Sequence, residues 1–282
     1  MQKHGTCIFC GGLGLTKEHV WPDWLRNVIV STTKRSAHIV DGMVQLSPRS
    51  IYIIDETKFG KQNRTGAITS RKLRVVCIKC NNNWMSNLQT KAKFLLVPMI
   101  KDRKWSISSE EDTKIIASWI TMFTIVSEYL NPDRVTTTEA ERRLFRNTVN
   151  PLSSWNIWLG YHAGRVKEGQ KINHGSIRHS NLARFPLNKT YKMDYNEIGI
   201  TTALCGDLLF QSHNTRLENT KLDTKLWAYS NGLVLIHPFI SNIDGVIKTF
   251  NDDDFEGLHL RLAEYAKQSR PPFNEHLPKL SS

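Results

Sequence analysis

The 282-residue chain lacks any apolar run that approaches the roughly 18 residues of a membrane-spanning helix. Its first five residues lack the apolar core of a signal peptide, so we expect a cytoplasmic protein that does not associate with membranes. It also lacks internal repeats and long low-complexity stretches, so no repeat architecture is indicated. Apolar residues make up 40% of the sequence, which predicts a globular fold with ample core material.

Cysteine is scarce, and four of the five cysteines form two Cys-x-x-Cys pairs, Cys7 with Cys10 and Cys77 with Cys80. Disulfide frameworks are typical of small secreted chains, whereas two such pairs in a cytosolic chain indicate a single tetrahedral metal site. We therefore predict a structural zinc ion that joins the two ends of the intervening segment, with four ordinary buried cysteines as the alternative. The fifth, Cys205, lies in an apolar strand pattern and is expected to be a core residue.

Acidic residues are few in the first part of the chain. Residues 1–100 carry 15 lysine and arginine residues against 5 acidic ones, while residues 101–282 carry 23 against 21. Most of the formal net charge of +12 therefore lies in the segment that holds the cysteine pairs. Because a basic surface attracts polyphosphate, we predict that this segment binds nucleic acid. The alternative is that these basic residues form an ordinary solvated face. The basic cluster consists of Lys58, Lys61, Arg64, Arg71, Lys72 and Arg74.

Hydrophobic spacing predicts a β-rich insert between the two cysteine pairs. Asp41-Gly42 is a strong two-residue hairpin signal between two of its strands. A short helix is predicted over residues 23–30, and a second helix is predicted to follow the second cysteine pair and to end at Pro98. The predicted strands of the insert cover residues 37–40, 43–46, 51–54 and 73–76.

A boundary at residues 101–109 would divide the chain into residues 1–100 and a second α+β domain of unknown fold over residues 101–282. Apolar residues at helical spacing predict a helix over residues 110–130, and Thr138 with Glu141 has the spacing of a capping box. This second part could recognise a substrate, form a homodimer or bind a protein partner. Its other predicted elements are strands within residues 155–161 and 198–211, a hairpin over residues 226–236 that turns at Asn231-Gly232, and a helix over residues 252–268.

A further motif lies beside the cysteine pairs. Glu18-His19 is followed by Pro22, and Asn81 comes directly after the second pair. The order Cys-x-x-Cys, acidic-His-x-x-Pro, Cys-x-x-Cys-Asn resembles the four-cysteine HNH (His-Me finger) endonucleases, which include a phage Holliday-junction resolvase type. The resemblance covers residues 7 to about 90, which is under a third of the chain.

The resemblance implies a ββα-metal fold that hydrolyses phosphodiester bonds, with DNA as the expected substrate and RNA as the alternative. His19 matches the general base of that family, and Glu18 and Asn81 match the two ligands of one catalytic Mg²⁺ or Mn²⁺ ion. The four paired cysteines match its zinc ligands. This sequence departs from the family pattern because it has glutamate where aspartate is usual, because Asn81 replaces the last histidine, and because the insert is long.

Several alternatives remain open at this point. Asn83 or Asn87 could replace or assist Asn81, since all three belong to one asparagine-rich segment that could also be a helix N-terminus. His19 could instead be a structural residue or a zinc ligand. Adjacent residues of a strand point to opposite faces, so Glu18 and His19 can share a site only if the backbone bends between or beside them. The chain could act in phage defence or restriction, or it could be a non-catalytic nucleic-acid-binding protein or a subunit of a larger complex.

Overall fold

The computed structural model describes residues 5–29, 44–46, 51–53, 72–130, 132, 135–163, 171–180, 195–215, 233–238 and 249–250. These residues form both helices and strands, which confirms the α+β class. The strands are β1 (Leu15–His19), β2 (Val44–Leu46), β3 (Ile51–Ile53), β4 (Lys72–Cys77), β5 (Trp155–His162), β6 (Lys171–Ser180), β7 (Tyr195–Cys205), β8 (Leu208–Thr215), β9 (Val234–His237) and β10 (Thr249–Phe250). The helices are α1 (Ile78–Cys80), α2 (Ser86–Asp102), α3 (Glu110–Glu128) and α4 (Glu139–Thr148), with a 3-10 helix (Asp23–Asn27) and a π-helix (Asn81–Met85). None of the described helices combines the length and the apolar composition that crossing a membrane requires.

Strands β1 and β4 form a small antiparallel sheet, and β4 leads directly into a helical stretch that contains α1, the π-helix and α2. The strand register pairs Thr16 with Val76 but Glu18 with Leu73, so β4 has one extra residue between these pairs. Such a bulge bends the strands locally and increases their twist. The result is a strand–strand–helix unit, which we define as β1, β4 and the helical stretch to α2.

The prediction that Pro98 ends the second helix is wrong, because α2 continues through it to Asp102. A proline inside a helix removes one backbone hydrogen bond and crowds the preceding turn. Here Met99 and Ile100 are buried just after it, and their burial stabilises the last turn despite that cost. The helix ends instead at Arg103, whose φ of 52° is in the left-handed region.

The large sheet has eight strands among the described residues, in the order β10-β5-β8-β7-β6-β2-β3, with β9 also paired to β5. Strand β2 lies parallel to β6, with Val44 opposite Ile177. Two strands that precede residue 100 therefore share a sheet with strands that follow it, and the proposed division into two domains stays a prediction.

The segment over residues 198–211 contains two strands, β7 and β8, which are joined by a tight turn at Gly206. Gly206 has a φ of +59°, and a Cβ atom there would lie 2.8 Å from Cγ2 of Ile100. Only glycine satisfies both requirements, so this turn can pack closely against the end of α2.

Helix α3 lies in the middle of the core, and nearly all of its side chains after the first turn are buried. Ser109 caps its N-terminus by accepting a hydrogen bond from the Asp112 N–H at 3.1 Å. The Phe123 ring of α3 lies 4.5 Å from that of Trp21 and 5.2 Å from that of Phe210 on β8, measured between ring centroids. One hydrophobic core therefore connects the strand–strand–helix unit with the large sheet.

Helix α4 begins with the capping box that the sequence predicts. The Thr138 hydroxyl accepts from the Glu141 N–H at 3.1 Å, and the Glu141 carboxylate accepts from the Thr138 N–H at 2.6 Å. These reciprocal bonds satisfy two N–H groups that the helix itself leaves without partners. The cap matters for the site because α4 carries Phe145, which packs among the aromatic residues beside the cysteine pairs.

Replacing Thr138 with alanine should lower the free energy of unfolding by about 1 kcal/mol, because the Glu141 N–H loses its acceptor. Urea unfolding followed by circular dichroism measures the change. The matched control is Thr148→Ala at the other end of α4, where the exposed hydroxyl donates to the Leu144 carbonyl and accepts from the Asn150 N–H at 3.3 Å, so that water can replace both partners. That control should shift the free energy by less than about 0.5 kcal/mol, and equal losses in both variants would contradict the capping role.

Several predicted elements lie outside the described residues. They are the strand over residues 37–40, the Asp41-Gly42 turn, most of the hairpin over residues 226–236 and the helix over residues 252–268.

Candidate functional site

The four paired cysteines lie together and are positioned to bind a metal ion such as zinc. The Sγ atoms of Cys7, Cys10, Cys77 and Cys80 all lie within 4.8 Å of one another, and those of Cys10 and Cys77 are 3.5 Å apart. Tetrahedral zinc with bonds of about 2.3 Å places its sulfur ligands about 3.8 Å apart, so the spacing fits this ion. It is too long for a disulfide, whose sulfur atoms are about 2.05 Å apart, and all four are free thiols.

The first cysteine pair lies in a tight turn that glycines make possible. The Cys7 N–H donates to the Gly12 carbonyl at 2.8 Å, and the Gly11 N–H donates to the Cys7 carbonyl at 2.8 Å. Gly11 has a φ of +71°, which side chains disfavour. The Gly12 N–H lies 3.4 Å from Cys10 Sγ and donates to it, as backbone amides commonly do to metal-bound thiolates.

Helix α4 packs against this turn. The ring of Phe9 meets that of Trp84 edge-on at 5.0 Å, and Phe145 of α4 lies 5.7 Å from Trp84. Arg142 of α4 is buried and donates from Nε to the Ile8 carbonyl at 2.9 Å. Residues that follow position 100 therefore hold the metal site in place.

The thiols differ in their electrostatic environments. Burial raises the pKa of Cys80 to about 12, although the nearby Trp84 and Arg146 side chains act to lower the pKa. Burial also acts to raise the pKa of Cys77, but hydrogen bonds from the Cys80 backbone and the neighbouring thiols outweigh it and lower the pKa to about 7. A bound cation favours the thiolate form, and the positive charge of Arg146 offsets part of the negative charge of a four-thiolate zinc centre.

A second group of polar residues lines a cleft between β1, α2 and α3. Glu18 and His19 both face it, together with Gln89 of α2, and the cleft has room for about one water molecule. The expected bend is present as the register shift just before Glu18, and β1 ends at His19. The opposite wall is apolar and comes from α3, which contributes Trp119, Met122, Phe123 and Val126.

The Glu18 carboxyl group is buried, with 5% of the residue exposed. Burial raises its pKa to about 7, while hydrogen bonds from the side chains of Gln89 and Asn81 act to lower it. Gln89 Nε2 donates to Glu18 Oε1 at 3.4 Å. A buried carboxyl group near two amides and a histidine is an unusual arrangement that fits a cation site, because a cation would stabilise its ionised form.

The His19 imidazole is surrounded by charged side chains. Burial and the nearby Lys72 lower its pKa, Arg26 lowers it further, and Asp23 acts in the opposite direction. His19 Nε2 lies 3.4 Å from Asp23 Oδ1, which is an ion-pair distance without hydrogen-bond geometry. The neutral imidazole is therefore the main form at pH 7 and can accept a proton.

Of the three asparagines considered from the sequence, Asn81 is the one beside Glu18. Its Nδ2 atom donates to Thr16 Oγ1 at 3.1 Å, and its side chain also hydrogen-bonds to Glu18. Asn81 begins the π-helix, a rare element that often occurs at functional sites. Asn83 and Asn87 are exposed, whereas Asn81 is partly buried, and none of the three is among the residues that line the cleft.

Gln89 is the site residue that the sequence analysis missed. It lies about two helical turns after Asn81 and one turn after Met85, which lines the same cleft. This helical spacing could have placed Gln89 on the same helix face as Asn81 and Met85. A glutamine on a helix usually faces solvent, however, so the spacing alone does not indicate a site residue. Its place in the site depends on α3 covering that face of α2, which local sequence does not reveal.

Two residues of the predicted basic cluster are described, and both are exposed on β4. Lys72 lies directly opposite His19 in the strand register, and Arg74 follows on the same face of the strand. Lys58, Lys61, Arg64 and Arg71 lie outside the described residues.

Comparisons of this chain with protein-family models, with curated proteins and with solved structures found no match. The assignment of the candidate sites therefore rests on the geometry and chemistry of the described residues.

Proposed function

We propose that this protein is a metal-dependent endonuclease of the HNH type that hydrolyses phosphodiester bonds in DNA. One observation carries the proposal: Glu18 and His19 line the same cleft, and the side chain of Asn81, the residue after Cys80, lies beside Glu18. Their residue types suit the reaction, because it needs a proton acceptor, oxygen ligands for a divalent cation and a rigid support.

His19 serves as the general base in this proposal. Its neutral imidazole accepts the proton of the attacking water while the water oxygen bonds to phosphorus and the bond to the leaving 3′ oxygen breaks. The Asp23 carboxylate, 3.4 Å away, stabilises the imidazolium that forms. Lys72, opposite His19, is placed to attract a backbone phosphate.

Glu18 and Asn81 are the proposed ligands of one Mg²⁺ or Mn²⁺ ion. One carboxylate oxygen and one amide oxygen occupy two of its six coordination positions, and water and phosphate oxygens can take the others. Such an ion, when bound, neutralises charge on the phosphate and on the leaving oxygen. The amides around Glu18 favour its ionised form, which is the form that binds a cation. In this proposal the zinc ion is structural, and it fixes the positions of β4 and the helical stretch.

The direct test is incubation of the purified full-length protein with supercoiled plasmid DNA and Mg²⁺ or Mn²⁺. We expect nicked or linear DNA to appear with the divalent cation and not with EDTA. A linear duplex, a branched duplex and an RNA of matched length show which nucleic acid is preferred. Absence of cleavage with every metal and substrate would contradict the proposal.

Replacing Asn81 with alanine should raise the Mg²⁺ or Mn²⁺ concentration for half-maximal cleavage by about 10-fold or more, because one proposed ligand is lost. The cleavage rate is measured across a metal titration. Asn83→Ala is the matched control, since Asn83 is exposed in the same π-helix, and it should leave the titration unchanged. An unaltered titration for the Asn81 variant would remove this residue from the cation site.

A second candidate function is a zinc-stabilised module that binds nucleic acid without cutting it. The burial of Glu18 favours this alternative, because burial stabilises the protonated form of the carboxyl group and that form does not bind cations. In that case binding should be tight and insensitive to EDTA at concentrations that leave the zinc in place, and no cleavage should be observed.

A further inference from the structure

We infer that Gln89 is a positioning residue of the proposed cation site, whose side-chain amide holds the Glu18 carboxylate in the orientation that receives the cation. This inference rests on the proposed function, because it assigns a role within the same site. It concerns a residue on α2 that lies outside the sequence motif.

The geometry supports this role directly. Gln89 Nε2 donates to Glu18 Oε1 at 3.4 Å, and both side chains line the same cleft. The helix backbone that carries Gln89 is firmly placed, because the neighbouring Leu88 and Ala92 are buried. An amide on a rigid helix can therefore fix a carboxylate that solvent barely reaches.

The length of the glutamate side chain explains why a partner is needed. Glu18 has one more side-chain torsion angle than an aspartate would have, and that angle must be fixed for the carboxylate to keep one orientation. Of the α3 residues that line the cleft, Trp119 alone carries a polar side-chain atom, and its indole N–H donates to no described residue. Asn81 does not line the cleft and donates to Thr16, so Gln89 is the residue that supplies a side-chain amide within the cleft and donates it to Glu18.

The first experiment measures Mn²⁺ binding to the zinc-loaded, full-length protein by electron paramagnetic resonance of the free ion. Gln89→Met keeps the size of the side chain and removes the amide, so the dissociation constant for Mn²⁺ should rise by about 10-fold. The cleavage rate at saturating Mn²⁺ should change by less than about threefold, because the chemical groups remain. A structural role would not separate metal affinity from turnover in this way.

The matched control is Asn87→Ala, an exposed residue of the same helix, which should leave both quantities unchanged. Gln89→Ala also removes the amide and preserves helix propensity, so it replaces Gln89→Met should that variant fail to fold. Zinc content and melting temperature identify the variants that are folded.

The second experiment tests whether Gln89 acts through Glu18. Glu18→Asp shortens the carboxylate by one methylene and withdraws it from Gln89. In this background Gln89→Met should weaken Mn²⁺ binding by less than about threefold, because the hydrogen bond is already lost. A loss of about 10-fold in both backgrounds would overturn the positioning role.

The results also separate this inference from the proposed function. A wild-type protein that binds no Mn²⁺ and cuts no DNA would overturn both. A wild-type protein that binds Mn²⁺ and cuts DNA, while the Gln89→Met variant titrates identically, would overturn the role of Gln89 alone.

Discussion

Replacing His19 with alanine should lower the rate of DNA cleavage by about 10²–10⁴-fold, because the attacking water loses the group that takes its proton. The His19 side chain is 21% exposed and lies at the end of β1, so its removal disturbs little packing. The melting temperature and the affinity for DNA should therefore stay close to the wild-type values. Initial rates on supercoiled plasmid at saturating Mn²⁺ and fluorescence anisotropy of labelled DNA measure the two effects.

Lys17→Ala is a suitable control for the His19 variant, because Lys17 is exposed on the same strand and does not line the cleft. It should retain activity within about threefold at saturating substrate. Added imidazole should partly restore cleavage by His19→Ala, since a free imidazole can accept the proton in its place. Unchanged turnover by His19→Ala would remove the proposed base and leave the binding module as the better interpretation.

Replacing Cys77 with serine should remove the bound zinc, so that the metal content falls from about one ion per chain toward zero. Structural zinc contributes on the order of 10 kcal/mol to the folded state of small zinc modules, which is comparable to the whole stability of a domain. The melting temperature should therefore fall by about 10 °C or more. Atomic absorption measures the zinc, and differential scanning calorimetry measures the transition.

Cys205 provides the matched control for the Cys77 variant. It is fully buried on β7 away from the four-cysteine site, and burial raises the pKa of its thiol. Cys205→Ser should keep the zinc while losing some stability, because a hydroxyl group is costly to bury. A Cys77→Ser variant that retained full zinc content and a normal melting profile would refute the metal site.

Local patterns in the sequence were sufficient for the features that depend on neighbouring residues. The two Cys-x-x-Cys pairs predicted the four-cysteine site, since the spacing within each pair brings its two thiols close together and Gly11 and Gly12 allow the turn at the first pair. Thr138 and Glu141 predicted the start of α4 because a capping box involves only residues three positions apart. The helix over residues 110–130 was predicted from its apolar spacing and is present as α3.

Features that depend on distant contacts could not be predicted in the same way. Gln89 belongs to the site because α3 covers its face of α2, and nothing near Gln89 in the sequence indicates that cover. The continuation of α2 past Pro98 depends on the burial of Met99 and Ile100, so tertiary packing outweighed the local signal. The donation from Arg142 to the Ile8 carbonyl likewise links two segments that no local pattern connects.

The pairing of Val44 with Ile177 and the packing of α4 on the zinc region have a consequence for how the protein is made. While the ribosome has released only the first hundred residues, Phe9 and Trp84 have no Phe145 to cover them, and β2 has no β6 beside it. The N-terminal region therefore cannot finish folding until the residues that form α4 and β6 have also been synthesised. For the same reason, residues 1–100 transplanted alone into a fusion protein should aggregate rather than act as a portable cutting module.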